Sequence, residues 1–215
     1  MAVRTTDQFA NIVLSDLAWR RKEVRVISRL VAEHANTSRQ QAILRGSIAS
    51  LYAHWEGGVK AACSTYAEYL RYRRPHFQEL DSVVIASVLR KRLTHLCVSG
   101  TTEELAELLD SMRDQNPRRL KIPKSFELST QSNLSSTVLK KICRDIGIRY
   151  VNEFAVSEKL IDELLRMRNH LAHGDWLLLD HKDFPEFVNL IDRLLFRFSD
   201  LLIDFVSNQK YLRTA

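Results

Sequence analysis

The sequence has 215 residues, of which 45% are hydrophobic, so it is long and apolar enough for a real core in one large or two small domains. Only six glycines and four prolines are present, which favours long helices over a sheet with many turns, and no stretch has the roughly 18 uncharged apolar residues of a membrane span. The net charge of +6 is compatible with a polyanionic partner such as RNA or DNA, and also with mild basicity that has no functional meaning.

The N-terminal residues lack the continuous apolar core of a signal peptide. The cysteines Cys63, Cys97 and Cys143 are odd in number and form neither a CxxC pair nor a disulfide framework. A reducing compartment is the simplest setting for such a chain. We therefore expect a soluble, cytoplasmic protein that does not associate with a membrane.

Helical periodicity dominates the first third of the chain. It predicts one helix over about residues 7–34 and a second over about residues 39–73, long enough to pack as an antiparallel pair. Gly57 and Gly58 fall inside the second helix, where each glycine costs roughly 1 kcal/mol. Close packing of another helix would explain them, and so would a local kink.

The middle of the chain is less regular. Apolar spacing predicts helices over about residues 80–97 and from a capping box at Thr101 and Glu104 to about residue 114. Residues 115–134 contain two prolines and clustered bases, so an irregular loop is expected there. Helicity resumes over about residues 135–146 and ends at Gly147.

Two further helices are predicted at the C-terminal end, one from an N-cap at Ser157 to Gly174 and one over about residues 183–211. The pattern therefore predicts an all-α fold. Four long antiparallel helices would form a bundle, and residues 75–150 would form an inserted, partly helical section. We expect residues 1–215 to be a single domain.

The stretch RMRNHLAHGDW, residues 166–176, combines an arginine, an asparagine and two histidines just before a glycine. On a helical wheel Arg168 falls within the apolar face, whereas Asn169 and His173 share a neighbouring, more polar face. A charge on a core-facing stripe is costly unless it is paired or the stripe lines a cleft or a subunit interface. One interpretation is structural, with Arg168 reaching a carboxylate such as Glu56 or Asp175.

The other interpretation is catalytic. Imidazole exchanges protons near neutral pH, and guanidinium clamps phosphate and stabilises charge on a phosphoryl transition state. These groups suffice to cleave RNA without metal through attack of the ribose 2′-OH on the adjacent phosphate. The wheel separates Arg168 from His173 by about 140°. They converge only if the helix end lets His173 turn, if Arg168 reaches round the helix, or if two chains meet in a dimer.

The same residues carry a resemblance to a known family. Arg168 to His173 fit the R-x4-H pattern, with Asn169 after the arginine, of the HEPN domain family. The stretch LYAHWEGGVKAACSTYAEYL, residues 51–70, resembles the second helix of the bacterial MAE-type HEPN domains. The resemblance covers roughly residues 40–73 and 150–206.

The resemblance implies an all-α, usually dimeric protein. Many members of this family are metal-independent endoribonucleases of toxin–antitoxin or phage-defence systems, and others are inactive binding domains. By this resemblance Arg168 and His173 would be the catalytic pair, with Asn169 supporting them. RNA, a second copy of the chain and an antitoxin or another defence-system protein would be the partners.

Other polar residues near the motif have two interpretations each. His170 and His173 lie at i and i+3 with Asp175 close by, a spacing that can hold a metal, but no third strong ligand is evident, so we expect neither a metal nor another cofactor. His170 would instead bind RNA, cap the helix or have no role. In the second predicted helix, Glu56 pairs with Lys60 on the surface, or else Glu56 or His54 reaches the Arg168 pocket.

Basic clusters are candidates for phosphate contact, or else are solvated helix ends and loop. They lie at Arg71, Arg73 and Arg74, at Arg90, Lys91 and Arg92, and at Arg118, Arg119, Lys121 and Lys124. Phosphate contact would make RNA affinity fall steeply with salt. The sequence thus supports two functional hypotheses: a HEPN-type endoribonuclease, and a non-catalytic helical module that binds RNA, nucleotide or a protein partner.

Overall fold

The computed structural model of the protein describes residues 3–113, 119, 122–123, 126, 128–130 and 132–213, without the side chains of residues 91 and 111–113. Within these ranges the regular structure is helical and contains no strand, which confirms the all-α class. The α-helices are α1 (Thr6–Glu33), α2 (Gln40–Arg73), α3 (Ser82–Ser99), α4 (Thr102–Arg113), α5 (Ser136–Ile146), α6 (Asn152–Ala155), α7 (Glu158–Ala172) and α8 (Phe184–Ser207). A 3-10 turn, Phe77–Glu79, precedes α3. None of the described helices has both the length and the apolar character needed to cross a membrane.

The bundle is built from α1, α2, α7 and α8. Only residues 34–39 connect α1 to α2, so these two helices return along each other as an antiparallel pair. Helices α1, α2 and α8 all pack against one another, and α7 packs against α2 and α8. The side chains of Trp55, Tyr52 and Phe198 are almost fully buried between them. Burial of large aromatic side chains of this kind supplies much of the hydrophobic stabilisation.

Close helix packing explains the adjacent glycines Gly57 and Gly58 inside α2. A Cβ atom added at Gly58 would lie 2.5 Å from Leu195 Cδ2 of α8, and one added at Gly57 would lie 2.8 Å from Arg20 Nη1 of α1. The Arg20 side chain is buried there and pairs with Asp16, with Nε 2.6 Å from Oδ2. Glycine at these positions therefore allows α1 and α8 to approach α2.

The segment between α2 and α6 joins the same hydrophobic cluster as the bundle. Helix α5 packs against α3 and α7, and Val84, Leu139 and Ile142 belong to the cluster that contains Trp55. The predicted capping box forms at the start of α4, where Thr101 and Glu104 each bond the other's backbone N–H, at 3.2 and 3.0 Å. Gly147 ends α5 with a φ of 96°, as the sequence predicts.

The C-terminal end of the last helix differs from the prediction. Helix α8 ends at Ser207 rather than near residue 211, and Gln209 adopts a left-handed conformation with φ of 52°. The chain then folds back, and the Tyr211 hydroxyl lies 3.2 Å from that of Tyr69. The residues after Ser207 include no glycine or proline that would mark this end in the sequence.

Ser157 precedes α7 as predicted, but its hydroxyl donates to the Glu153 carbonyl at 2.7 Å and does not cap the helix. The short helix α6, which ends just before Ser157, was not predicted. One helical turn of four residues gives too short a periodic pattern to stand out from a loop.

Candidate functional site

A cleft of about 630 Å³ lies between α2 and the C-terminal end of α7. Small and apolar residues of both helices form much of its wall, and its charged residues are Arg45, Glu56, Arg168 and Asp175. The remaining lining residues are Gly46, Ala49, Tyr52, Ala53, Leu171, Ala172, Gly174 and Trp176. The volume falls within the roughly 300–1,000 Å³ of ligand sites in proteins.

Arg168 is held in this cleft by three contacts. Its guanidinium stacks on the ring of Tyr52, with Cζ 4.3 Å from the ring centroid. Its Nη2 donates to the Ser132 carbonyl at 2.9 Å and lies 3.4 Å from Glu56 Oε2. These contacts compensate the cost of placing a charge on the apolar side of α7. A guanidinium carries five N–H donors, so donor capacity is left over for a phosphate oxygen.

Glu56 links Arg168 to the segment that precedes α5. Its second oxygen accepts a hydrogen bond of 2.8 Å from the Thr130 hydroxyl. Two residues after Ser132, the Leu134 backbone N–H donates to the Tyr52 hydroxyl at 2.5 Å. Burial, followed by the nearby Glu56 charge, raises the pKa of Tyr52 to about 12, so the phenol stays protonated at neutral pH. Arg168 is thus fixed by α2 together with Thr130, Ser132 and Leu134.

The end of α7 places His173 away from Arg168. Gly174 adopts φ of 80°, and the N–H groups of Gly174 and Asp175 donate to the carbonyls of Leu171 and His170, which is a Schellman motif. His173 keeps near-helical dihedrals of −85° and −1°, so it does not turn toward Arg168. Its side chain is exposed and is absent from the cleft lining. Within the described residues, no contact joins Arg168 to His173 in one chain.

The residues around His173 differ in their burial and in their contacts. Asn169 is half-buried, and its carbonyl accepts the His173 N–H at 3.1 Å. His170 is exposed, and its Nδ1 lies 2.9 Å from Asp175 Oδ2. In the described part of the chain no group of three or more His, Cys, Asp or Glu side chains is arranged to hold a metal ion. The His170–Asp175 pair therefore lies at the helix end, with Asp175 in the cleft wall.

Of the two α2 residues that the sequence offers as neighbours of Arg168, Glu56 lines the cleft and His54 does not. It lies two residues from Glu56, about 200° round α2, and therefore faces α1. Its ring packs against Trp19 at 5.5 Å between centroids, and Nε2 lies 3.6 Å from Glu23 Oε2. Burial lowers the pKa of His54 despite the opposing Glu23 charge.

In the part of the chain that the structure describes, no residue of the basic clusters lines the cleft. Arg71 donates to the carbonyls of Pro123 and Phe126, at 3.3 and 2.7 Å, and so ties α2 to the following segment. It lies 15 residues beyond Glu56, about 22 Å along the helix axis. Arg73, Arg74 and Arg119 are exposed.

Three further predicted phosphate contacts, Arg118, Lys121 and Lys124, lie outside the described residues. In the cluster of Arg90, Lys91 and Arg92, Arg90 pairs with Asp145, with Nη2 2.9 Å from Oδ1. A structural pairing of this kind accounts for Arg90 without a phosphate.

Sequence reasoning missed two residues of the cleft wall. The Arg45 guanidinium stacks on the Trp176 ring, with Cζ 4.0 Å from the centroid, at the mouth of the cleft. Trp176 belongs to the stretch of residues 166–176, but no sequence pattern marks it as a site residue. No local pattern marks Arg45 either. The two residues are 131 positions apart, so no spacing rule connects them.

Comparison with known families gives one result. The family model HEPN_MAE_28990, described as "-like HEPN", matches residues 9–211. No curated protein and no solved structure gives a significant match. The match spans α1 to α8 and includes the whole cleft.

Proposed function

Because the chain belongs to the HEPN_MAE_28990 family of HEPN domains, we propose that it is a metal-independent endoribonuclease. Arg168 and His173 are its catalytic pair and Asn169 is their support. RNA is the substrate, and the setting is the cytoplasm. We propose a role as a toxin or phage-defence effector that an antitoxin or another defence protein restrains.

The observation that carries this proposal is the placement of Arg168. Its guanidinium stands in the wall of an open cleft, anchored by Tyr52, Glu56 and the Ser132 carbonyl. An arginine with only a structural role has no need of a cleft of this size beside it. A positioned guanidinium next to a solvent-filled cleft is suited to bind a phosphate and to stabilise the charge that develops on it.

The chemistry follows from the groups present. A neutral imidazole of His173 takes the proton of the ribose 2′-OH, and that oxygen forms a bond to the adjacent phosphorus. Arg168 stabilises the additional negative charge on the phosphoryl oxygens. The bond from phosphorus to the 5′-oxygen breaks, and an imidazolium supplies the proton that the leaving oxygen takes up. The products are a 2′,3′-cyclic phosphate and a 5′-hydroxyl.

Two copies of the chain meet the geometric requirement that one copy does not. His173 lies about 140° round α7 from Arg168 and points to solvent. A second chain packed with its own α7 end against this one would bring two histidines and two arginines to one composite site. One histidine then acts as the base and the other as the acid. Twofold symmetric pairing of identical surfaces is the commonest form of protein dimer.

One observation favours the alternative of a non-catalytic module that binds RNA, nucleotide or a protein partner. Arg168 already has a carboxylate partner in Glu56 and a carbonyl partner in Ser132, and an arginine with a structural role alone would make the same two contacts. This alternative predicts no RNA cleavage and a loss of stability on Arg168→Ala. A measurement of RNA cleavage therefore distinguishes the two functions.

The test is a gel assay of the purified protein on total RNA in EDTA. We expect cleavage that leaves 2′,3′-cyclic phosphate ends and that falls by about 10²- to 10⁴-fold in His173→Ala, as for loss of a proton-transfer group. Arg168→Ala should lose activity comparably. Matched controls are His95→Ala and Arg166→Ala, which alter exposed residues outside the cleft and should keep full activity.

Melting temperatures accompany the assay, because they show whether each variant is folded. Full activity in both folded His173→Ala and Arg168→Ala would contradict the proposed pair. Absence of cleavage in the wild-type protein, with a stability loss in Arg168→Ala, would favour the non-catalytic module.

A further inference from the structure

Trp176 is unusually exposed for a residue of its size. Its side chain is 77% exposed at the mouth of the cleft. One face of the ring is covered by the Arg45 guanidinium at 4.0 Å. Large exposed aromatic surface beside a cleft of ligand size is typical of a binding site.

The loop that carries Trp176 is fixed to the start of α2. Gln41 makes two hydrogen bonds to Leu179, from its Nε2 to the carbonyl at 2.7 Å and from the Leu179 N–H to its Oε1 at 3.2 Å. Arg45 Nε donates to the Leu177 carbonyl at 3.1 Å, and the same guanidinium supports the tryptophan ring. The indole is therefore presented in one place before any ligand arrives, which lowers the entropy cost of binding.

The cleft beside the ring has room for a flat ligand. A Cβ atom added at Gly46 would meet nothing within 4 Å, so the α2 wall is open at this point. Ala49, Ala53 and Ala172 continue the small-residue lining toward Arg168. The cleft thus has an aromatic face with a stacked guanidinium at one end and a second arginine, stacked on Tyr52, at the other.

We propose that Trp176, supported by Arg45, is a stacking platform for an unpaired nucleobase of the RNA strand. Bases of single-stranded RNA bind proteins by stacking on aromatic rings and guanidinium planes. A base on the indole places its strand along the small-residue floor, with the backbone phosphate toward Arg168. The proposal rests on the proposed function for its ligand class, and it assigns the cleft to single-stranded rather than duplex RNA.

The test measures binding apart from cleavage. The probe is a fluorescein-labelled single-stranded RNA with 2′-fluoro sugars, which lacks the attacking hydroxyl, and its Kd is obtained from fluorescence anisotropy. We expect Trp176→Ala to weaken binding by about tenfold, as for loss of one base–aromatic stack, and Trp176→Phe to retain most of the affinity. Leu178→Ala is the matched control, since Leu178 is 73% exposed on the same loop but does not line the cleft.

A second variant tests the cleft without removing a contact. Gly46→Phe should fill the open wall and weaken binding of the probe, while the melting temperature shows that the bundle is intact. In the wild type, stacking should also quench part of the tryptophan emission, and that quenching should be lost in Trp176→Phe. Equal affinity of the wild type and Trp176→Ala, or no binding of the probe by the wild type, would overturn the platform. Binding through Trp176 in a protein that cleaves no RNA would refute only the proposed catalysis.

Discussion

At the scale of single residues, Arg168 shows how a charge is accommodated on the apolar side of a helix. The helical wheel identifies it as out of place, and pairing with Glu56 is one of the explanations that the sequence permits. The contact with the Ser132 carbonyl has no sequence signal, because residue 132 lies in a stretch with no periodicity. The local sequence pattern therefore identifies Arg168 as a charge on an apolar helix face. Only the tertiary structure shows which groups it contacts.

His54 is a buried histidine whose protonation should affect the stability of the fold and not catalysis. Burial lowers its pKa, so the unfolded chain binds the proton more tightly than the folded chain. The contribution of neutral His54 to the free energy of unfolding is therefore present above the ordinary histidine pKa of about 6.5. It is lost as the pH falls below that value. Urea unfolding at pH 7.5 and 5.5 should show a stability loss on acidification that is smaller in His54→Gln.

The control for this measurement is His95→Gln, because His95 is exposed on α3. It should show the same loss on acidification as the wild type. If His54→Gln also follows the wild type, protonation of His54 has no part in the stability. RNA cleavage by His54→Gln at pH 7.5 should stay near the wild-type rate, since His54 faces α1 and not the cleft.

At the scale of elements, most helices are predictable because their signals are local. Apolar periodicity, the Thr101–Glu104 capping box and Gly147 locate α1 to α5 to within two residues or so. The cleft could not be derived in the same way. Its walls join Arg45 to Trp176 and Glu56 to Arg168, and the rotation of one helix against another is set by packing of residues distant in sequence.

Gly46 and Gly58 of α2 have different surroundings and provide a matched stability test. Gly58→Ala should destabilise the protein by about 1 kcal/mol net, because overpacking against Leu195 outweighs the better helix propensity of alanine. Gly46→Ala adds its methyl group in open space and should stabilise by about 0.5–1 kcal/mol. The free energy of unfolding in urea measures both.

Equal stabilisation by the two substitutions would show that α1, α2 and α8 are not closely packed at Gly58. In that case a kink rather than a close approach would be the reason for the glycine pair. The comparison is controlled internally, since both changes are Gly→Ala in the same helix.

At the scale of the whole molecule, the described core is continuous from the bundle into the 75–150 section. Leu139, Ile142 and Ile146 of α5 lie in the same hydrophobic cluster as Trp55 and Leu164. We therefore propose that residues 1–215 act as one domain, with residues 75–150 as an insertion. Thr130, Ser132 and Leu134 of this insertion bond to Glu56, Arg168 and Tyr52, so the inserted section holds residues of the cleft wall in place.

Catalysis at the proposed site depends on the pairing of two chains. In one chain Arg168 faces α2 while His173 is exposed at the end of α7. If each composite site needs the histidines of both chains, a dimer that contains one His173→Ala chain is inactive. An inactive subunit should then suppress the activity of its wild-type partner.

The most direct test is titration of His173→Ala protein into a constant amount of wild type, with subunit exchange before RNA is added. At a ninefold excess, random pairing leaves about one tenth of the wild-type chains with a wild-type partner, so RNA cleavage should fall about tenfold. Arg166→Ala protein, added in the same excess, should raise total cleavage instead. Cleavage that stays at the wild-type level at every ratio would contradict a site shared between two chains, and so would an absence of cleavage in the wild type alone.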